Sequence, residues 1–327
     1  MPPVVAFVIA ALTLLAGSPA HPISGGHPAT GREFGFVRYL RILWADGKAS
    51  TCTGSALGPR LVLTAAHCVV RTDGATLRSV EVKPTQTRTG TKARSVTIHA
   101  GYRRGEERGF LLLENDLAML EMPEAIDGPY AMTPFDYLWR RHKDVYTGPF
   151  KRIFLEQIKV ADAKALLDRV LTRDAKGRPY AAQVGFGLFG CERSTKKCSA
   201  SGSVKARYLE KYLFNYRIDR PLTAIGCEPT PFSLETPGVN LICLGVSADD
   251  TRTPTTYGPD RLYTAQPGDS GGPAVVFGEG GQAFVIGTMS FGGLETKSIN
   301  MNLVDHLDFL RDIELGGGPS LRTIALQ

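Results

Sequence analysis

The segment GDSGGP, residues 268–273, places a serine inside a glycine-rich turn. Glycine allows the backbone to bend sharply and to leave its N–H groups exposed. Two convergent N–H groups beside a serine hydroxyl form an oxyanion hole for acyl transfer. The segment therefore predicts Ser270 as a nucleophile, with the backbone N–H groups of Gly268 and Ser270 as the oxyanion donors.

Two further segments supply partners for this serine. LTAAHC, residues 63–68, ends an apolar stretch from Leu61 to Ala66 that is predicted as a buried strand. In NDLAML, residues 115–120, Asp116 opens another apolar run. A serine alcohol is a poor nucleophile at neutral pH, so it needs a base, and the base needs an orienting anion. We predict His67 as the base and Asp116 as the anion.

Taken together, these segments resemble the trypsin/chymotrypsin-like serine peptidases. The chain order His, Asp, Ser is that of chymotrypsin, and it differs from the orders in subtilisin and the α/β-hydrolases. Other segments are similar to the family's mature amino terminus, its Gly-Trp-Gly strand, its Ser-Trp-Gly substrate-binding strand and its closing strand and helix. These are Ile23 to Gly26, Gly185 to Gly187, Ser290 to Gly292, and Asn302 to Leu310. The resemblance covers most of residues 23–311.

The resemblance implies an all-β fold of two six-stranded antiparallel β-barrels, with the site in the cleft between them. The sequence itself predicts a hairpin that turns at Asp46-Gly47, between strands at Phe36–Trp44 and Ala49–Leu57. Short strands are also predicted at Val80–Lys83 and Val96–Ala100. We expect the first barrel over residues 36–132, an insertion over 133–178, the second barrel over 180–303 and a terminal helix over 304–314.

Two insertions separate this chain from the compact family pattern. In the first, apolar residues recur at three- and four-residue steps from Phe154 to Thr172, with charges between them. This pattern predicts one amphipathic helix. The second insertion lies between Phe189 and Thr236 and carries three of the six cysteines.

The cysteine count suggests three disulfides, because an even number in a secreted chain is typical of a disulfide framework. The resemblance implies a Cys52–Cys68 bridge that holds the histidine loop. For the others, Cys191–Cys198 and Cys227–Cys243 are one choice among the connectivities that six cysteines allow. The family's bridge beside the nucleophile is missing, since Gln266 and Pro267 stand there.

The amino terminus is predicted to be a secretory signal over residues 1–20. An apolar run from Val4 to Leu15 ends in small residues, as signal peptidase requires. A membrane anchor is the alternative, but the run is short for a membrane span. Residues 21–22 would then form a short propeptide, and Ile23 would become the mature terminus. In the family, this free amino group pairs with the carboxylate that corresponds to Asp269, which would otherwise be buried and costly.

Substrate preference follows from the resemblance alone. The residues that match the family's substrate-binding positions are Thr264, Ser290, Phe291, Gly292 and Ser298. An uncharged Thr264 at the pocket floor argues against a trypsin-like preference for Arg or Lys. Gly292 should leave one wall open, and Ser298 should narrow the other. We expect an uncharged, small-to-medium side chain on the acyl side of the scissile bond.

Charge is uneven along the chain. Residues 140–220 carry 19 Lys and Arg against 8 Asp and Glu, whereas the whole chain has a net charge of +6. Such a basic face could dock on an acidic partner or surface, or it could be a solvated face that only aids solubility. The region lacks the aromatic and glycine pattern of nucleic-acid binders, so no nucleic acid is predicted. The six histidines show no metal-ligand spacing, so we predict neither a metal nor a cofactor.

These observations favour a secreted serine endopeptidase that acts on protein or peptide substrates through an acyl-enzyme. One alternative is a catalytically silent homologue that serves as a binding or adhesion module through its basic insertion. Another is an esterase whose insertions cap the cleft. Oligomeric state is left open.

Overall fold

The computed structural model describes residues 27–29, 34–107, 110–172, 180–187, 207–214, 241–245, 266–278, 281–294 and 297–326. The strands β1 to β17 are His27–Pro28, Val37–Trp44, Ala49–Gly58, Leu61–Thr64, Leu77–Lys83, Thr91–Lys92, Ser95–His99, Arg103–Glu107, Phe110–Glu114, Ala118–Glu121, Tyr180–Gly185, Arg207–Phe214, Leu241–Gly245, Pro273–Phe277, Ala283–Leu294, Lys297–Asn302 and Leu321–Ala325. The helices α1 to α4 are Pro134–Arg140, Pro149–Gln157, Val160–Val170 and Leu307–Leu315. The predicted all-β fold class is confirmed.

The first barrel is built from β2 to β7 and β10. Its antiparallel strands follow the order β7-β10-β4-β3-β2-β5-β6. Only Ala93 and Arg94 separate β6 from β7, and the Ala93 N–H donates to Val80 O at 2.8 Å. Because β6 pairs with β5 while β7 pairs with β10, this continuous segment closes the sheet into six strand positions. The hairpin between β2 and β3 turns at Gly47, whose φ of 81° suits glycine.

The second barrel is a closed ring of six antiparallel strands. Around the ring, each strand pairs with the next in the order β11-β12-β13-β16-β15-β14, and β14 pairs again with β11. Closure gives every strand of the ring two neighbours, which removes free edges. The short strand β1 also pairs with the start of β12, at His27 opposite Tyr208. This pairing attaches residues 27 and 28 to the second barrel.

Three helices lie in the described part of the insertion, residues 133–172, and the prediction of a single helix from Phe154 to Thr172 was wrong. The helical conformation is interrupted between α2 and α3, where Ile158 and Lys159 have extended backbone. Asp162 explains the break, because its carboxylate accepts the Lys159 N–H at 2.7 Å and so starts a new helix. The apolar faces of α2 and α3 still pack into the main core through Leu155, Ala163 and Leu167.

The carboxyl-terminal part of the chain returns to the first barrel. A 3-10 turn at Val304–His306 leads into α4. Gly316, with φ 72°, ends that helix. Strand β17 then pairs with β7, so that Leu321 lies opposite His99. Among the described helices, none combines the length and apolar character needed to cross a membrane.

Candidate active site

His67 and Asp116 form a tight pair on the first barrel. His67 lies in a 3-10 turn, Ala66–Cys68, just after β4, and a disulfide joins Cys68 to Cys52 on β3. Asp116 Oδ2 lies 2.7 Å from His67 Nδ1, and Asp116 Oδ1 accepts the His67 backbone N–H at 2.8 Å. One carboxylate thus holds both the ring and the backbone of this histidine. The arrangement leaves Nε2 as the ring nitrogen available for proton transfer.

A third hydrogen bond completes the environment of Asp116. Its carboxylate is fully buried, and Ser290 Oγ donates to Oδ2 at 2.6 Å. A buried charge is costly unless it is hydrogen-bonded, and three donors meet that need here. The family resemblance predicts a substrate contact for Ser290, yet its hydroxyl lies against Asp116. Burial, together with the Asp116 charge, raises the pKa of Tyr102 above its ordinary value, so this nearby phenol stays protonated.

Hydrogen bonds from both barrels fix the turn that carries Ser270. Thr53 on β3 donates its N–H to Ser270 O and its hydroxyl to Gly268 O, each at 2.8 Å. On the other side, Gly271 N–H donates to Met289 O at 2.8 Å. Gly268 adopts φ 99°, a conformation that favours glycine. Thr53 was not predicted from the sequence, because it lies in none of the motifs.

His67, Gly268 and Ser270 line one open cleft of about 470 Å³. No hydrogen bond joins Ser270 Oγ to His67 within the described residues. In ligand-free sites such contacts are often long and tighten only when substrate binds. Arg71, also in the cleft wall, lies 5.3 Å above the Trp44 ring and pairs with Asp46 at 3.0 Å. The cleft therefore combines a serine, a held imidazole and the backbone of a glycine turn.

Asp269 is fully buried behind this turn. Its Oδ1 accepts the Gly187 N–H at 2.7 Å, and its Oδ2 accepts the Gln266 N–H at 2.8 Å. Gly185 and Gly187 leave the space that the carboxylate occupies, because a Cβ at either position would overlap it. The GFG segment, which resembles the family's Gly-Trp-Gly strand, therefore forms the site that holds the Asp269 carboxylate, called here the Asp269 seat.

Ser298 is connected to the nucleophile turn through an unpredicted residue. Its hydroxyl is fully buried and donates to Gln183 Oε1 at 3.1 Å. The Gln183 amide donates in turn to Gly272 O at 3.3 Å and Pro273 O at 3.1 Å. Gln183 reads as an ordinary polar residue of a strand, so a single sequence carries no signal for this role.

The other predicted site residues lie partly outside the described part of the chain. Ile23, Thr264, Cys191, Cys198 and Cys227 fall outside it. For Cys243 on β13, and for Phe291 and Gly292 on β15, the backbone alone is described.

Potential metal ligands gather at one place in the described residues. Cys52, His67 and Cys68 offer ligand atoms that lie within 4.8 Å of one another. Both sulfurs are joined in the disulfide, and His67 Nδ1 faces Asp116. The two sulfurs and His67 Nδ1 are therefore already engaged, in the disulfide and in the His–Asp pair.

The sequence matches the trypsin family model over residues 23–144. The matched residues make up less than half of the chain and include His67 and Asp116. Ser270 lies beyond the match.

Proposed function

We propose that this chain, which matches the trypsin family model over residues 23–144, is a serine endopeptidase that cleaves peptide bonds through an acyl-enzyme. The observation that carries the proposal is the buried Asp116 carboxylate. It holds His67 Nδ1 at 2.7 Å, in the cleft that Ser270 also lines. The same three residues form the nucleophile, base and anion of a triad.

The proposed reaction starts with attack by Ser270 Oγ on the scissile carbonyl carbon. The hydroxyl proton passes to His67 Nε2, while Asp116 keeps the N–H on Nδ1 and stabilises the imidazolium that forms. Collapse of the tetrahedral intermediate breaks the C–N bond, and His67 returns its proton to the leaving amine. Water then repeats the sequence on the acyl-enzyme and releases the acid.

The negative oxygen of the intermediate would be held by the N–H groups of Gly268 and Ser270. The hydrogen bonds from Thr53 to Gly268 O and Ser270 O support that role, because they fix the chain on either side of the peptide that carries the Ser270 N–H before substrate arrives. Preorganised donors of this kind are worth more than the same groups in water.

Maturation is proposed to free the amino group of Ile23 after secretion, by removal of residues 1–20 and then of His21-Pro22. The amino group would pair with the buried Asp269 carboxylate, as the corresponding pair does in the family. Two observations support the pairing: Asp269 is fully buried, and β1 attaches the chain to the second barrel four residues after Ile23. An uncharged, small-to-medium residue is proposed on the acyl side of the cleaved bond, because Thr264 is uncharged.

The first test is labelling with a fluorophosphonate probe, which reacts with a serine only where a base and an oxyanion hole work together. We expect secreted protein to be labelled stoichiometrically, and we expect Ser270→Ala protein to remain unlabelled. The mature terminus should be sequenced on the same sample. An unlabelled wild-type protein that begins at Ile23 would contradict the proposal.

A second candidate function, a binding surface on and beside the helical insertion, would gain support from that negative result. The large hydrophobic residues that are exposed within the described chain all fall between residues 130 and 153, at Tyr130, Val145, Phe150 and Ile153. Five Lys and Arg residues lie between 140 and 153, so this surface would suit an acidic partner. The esterase alternative is separated by digestion of a denatured protein, which an enzyme limited to small esters would leave intact.

Gly187→Ala tests whether the Asp269 seat supports the oxyanion turn. The added Cβ would overlap the carboxylate and displace it, and the turn at Gly268 should move with it. We expect the rate of peptide hydrolysis to fall about 100- to 1,000-fold, the loss typical of a removed oxyanion donor. The matched control is Gly58→Ala, where a Cβ meets nothing within 4 Å. Equal activity of the two variants would refute the role of this seat.

A further inference from the structure

The backbone directly before Asp116 is strained. Asn115 has φ 49° and is, among the described residues, the one non-glycine residue with positive φ. Asparagine tolerates this left-handed conformation better than most residues, but at some cost in free energy. The turn matters because it sets the direction in which the Asp116 side chain points from the backbone. Something other than intrinsic preference must therefore hold it.

The side chain of Asn115 is held at both ends. Its Nδ2 donates to Gly101 O at 2.9 Å, and its Oδ1 lies 3.0 Å from His306 Nε2. Leu117 N–H closes the turn by donating to Asn115 O at 2.7 Å. The orientation of the amide follows from these contacts, because the flipped amide would put Oδ1 against the Gly101 carbonyl oxygen.

Each ring nitrogen of His306 faces a hydrogen-bond acceptor. Its Nδ1 lies 2.6 Å from Asn302 O, a carbonyl that cannot donate, and its Nε2 faces Asn115 Oδ1. A neutral imidazole carries one N–H, whereas an imidazolium carries two. Both contacts can therefore be hydrogen bonds only when His306 is protonated. The ring is 2% exposed, so water cannot readily replace a lost partner.

Charged and titratable groups surround this ring. His99 on β7 lies 5.5 Å away, centroid to centroid, and accepts the Gly101 N–H on Nδ1 at 3.0 Å. Asp305 and Asp308 lie on the turn and helix that carry His306, and Lys164 on α3 pairs with Asp305 at 3.0 Å. Burial lowers the pKa of His306, and the Asn302 carbonyl, among other groups, opposes that change. Because its pKa is lowered, the ring gives up its second proton at a lower pH than an ordinary histidine does. The hydrogen bond to Asn115 is lost with that proton.

We propose that His306 is a positioning residue that acts through Asn115, and that as an imidazolium it holds the turn presenting Asp116 to His67. When the ring is neutral, it keeps the shorter bond to Asn302, and Asn115 loses its partner. The turn then depends on Gly101 alone for its side-chain support. This proposal deepens the proposed function and rests on it for its effect on catalysis.

The kinetic test compares wild type with His306→Gln from pH 5.5 to 8.5. A Gln side chain can offer an N–H to Asn115 at every pH, so the variant should lack the His306 titration. Dividing the two kcat values at each pH cancels any pH dependence that the two proteins share. We expect the ratio of variant to wild type to rise about two- to tenfold with pH, the worth of one hydrogen bond, with little change in KM.

A ratio that stays constant with pH would overturn the proposal, because a purely structural role has no such dependence. The matched control is His142→Gln, which makes the same change at a ring packed on Phe154, 4.7 Å away, in the helical insertion. Its ratio to wild type should be flat. Thermal melts of all three proteins at each pH identify any loss that comes from unfolding.

A second measurement needs no catalysis and uses Ser270→Ala protein. Nitrogen-15 NMR of the histidine rings should show both His306 nitrogens protonated at low pH. The Asn115 side-chain amide should shift with the same midpoint. A neutral ring at every pH at which the protein is folded would overturn the proposal. If instead wild-type protein resists the fluorophosphonate probe while the His306 titration is seen, the proposed function fails and the protonation-dependent contact still holds.

Discussion

Replacing Ser270 by alanine is expected to lower kcat for a peptide substrate about a million-fold, the cost seen for the nucleophile of other serine peptidases. The reason is chemical, because no other group at the turn can form the acyl-enzyme. His67→Ala should cost about as much, since an unactivated serine is nearly as inert as none. The double variant should be no worse than either single one. Burst kinetics with an ester substrate would show the loss of acylation directly.

Ser50→Ala is the matched control, because Ser50 lines the same cleft but donates nothing to the turn. Its hydroxyl accepts the Trp44 indole N–H at 3.1 Å, and its loss should leave kcat within about twofold, as for most exposed substitutions. A Ser270→Ala protein that keeps even a hundredth of the wild-type rate would remove Ser270 from the mechanism.

Asp116→Asn is expected to lower kcat about 10,000-fold, as the same change does in the chymotrypsin-like triad. The buried carboxylate accepts three hydrogen bonds, from the His67 ring, the His67 backbone and Ser290. A carboxamide has one accepting oxygen and one donating nitrogen, so it cannot satisfy all three donors. The imidazole would turn to the wrong tautomer, with its proton on the nitrogen that should accept from Ser270.

The measurement is kcat against pH for wild type, Asp116→Asn and the surface control Asp73→Asn, whose side chain is 53% exposed. The control should match wild type. A loss smaller than about a hundredfold in Asp116→Asn would mean that the carboxylate serves packing rather than the orientation of His67.

The residues brought together at the site were largely visible in the sequence. His67, Asp116 and the turn around Ser270 each lie in a motif whose residue types suit one chemistry. The Cys52–Cys68 bridge was predicted from the family resemblance and is present in the structure. Several strands were also predictable, because apolar segments and a turn at Asp46-Gly47 mark local structure.

What the sequence could not reveal depends on contacts between distant segments. Ser290 donates to a carboxylate 174 residues away, and Gln183 reaches a turn about 90 residues away. Neither residue is unusual in its own strand. The break between α2 and α3 was missed because the apolar spacing continues across it, while the decisive contact is one carboxylate on one backbone N–H at Lys159.

The return of β17 to the first barrel bears on how the protein is made. Strand β7 pairs with β17, which is synthesised about 220 residues later. At roughly 5–20 residues per second, a nascent chain would wait on the order of 10 to 40 s for that partner. Throughout this interval the outer edge of β7 presents unpaired backbone groups, the kind of surface on which neighbouring chains associate. A chaperone could protect that edge until β17 is made, and ribosome-bound chains halted before residue 321 should aggregate more readily than the full-length protein.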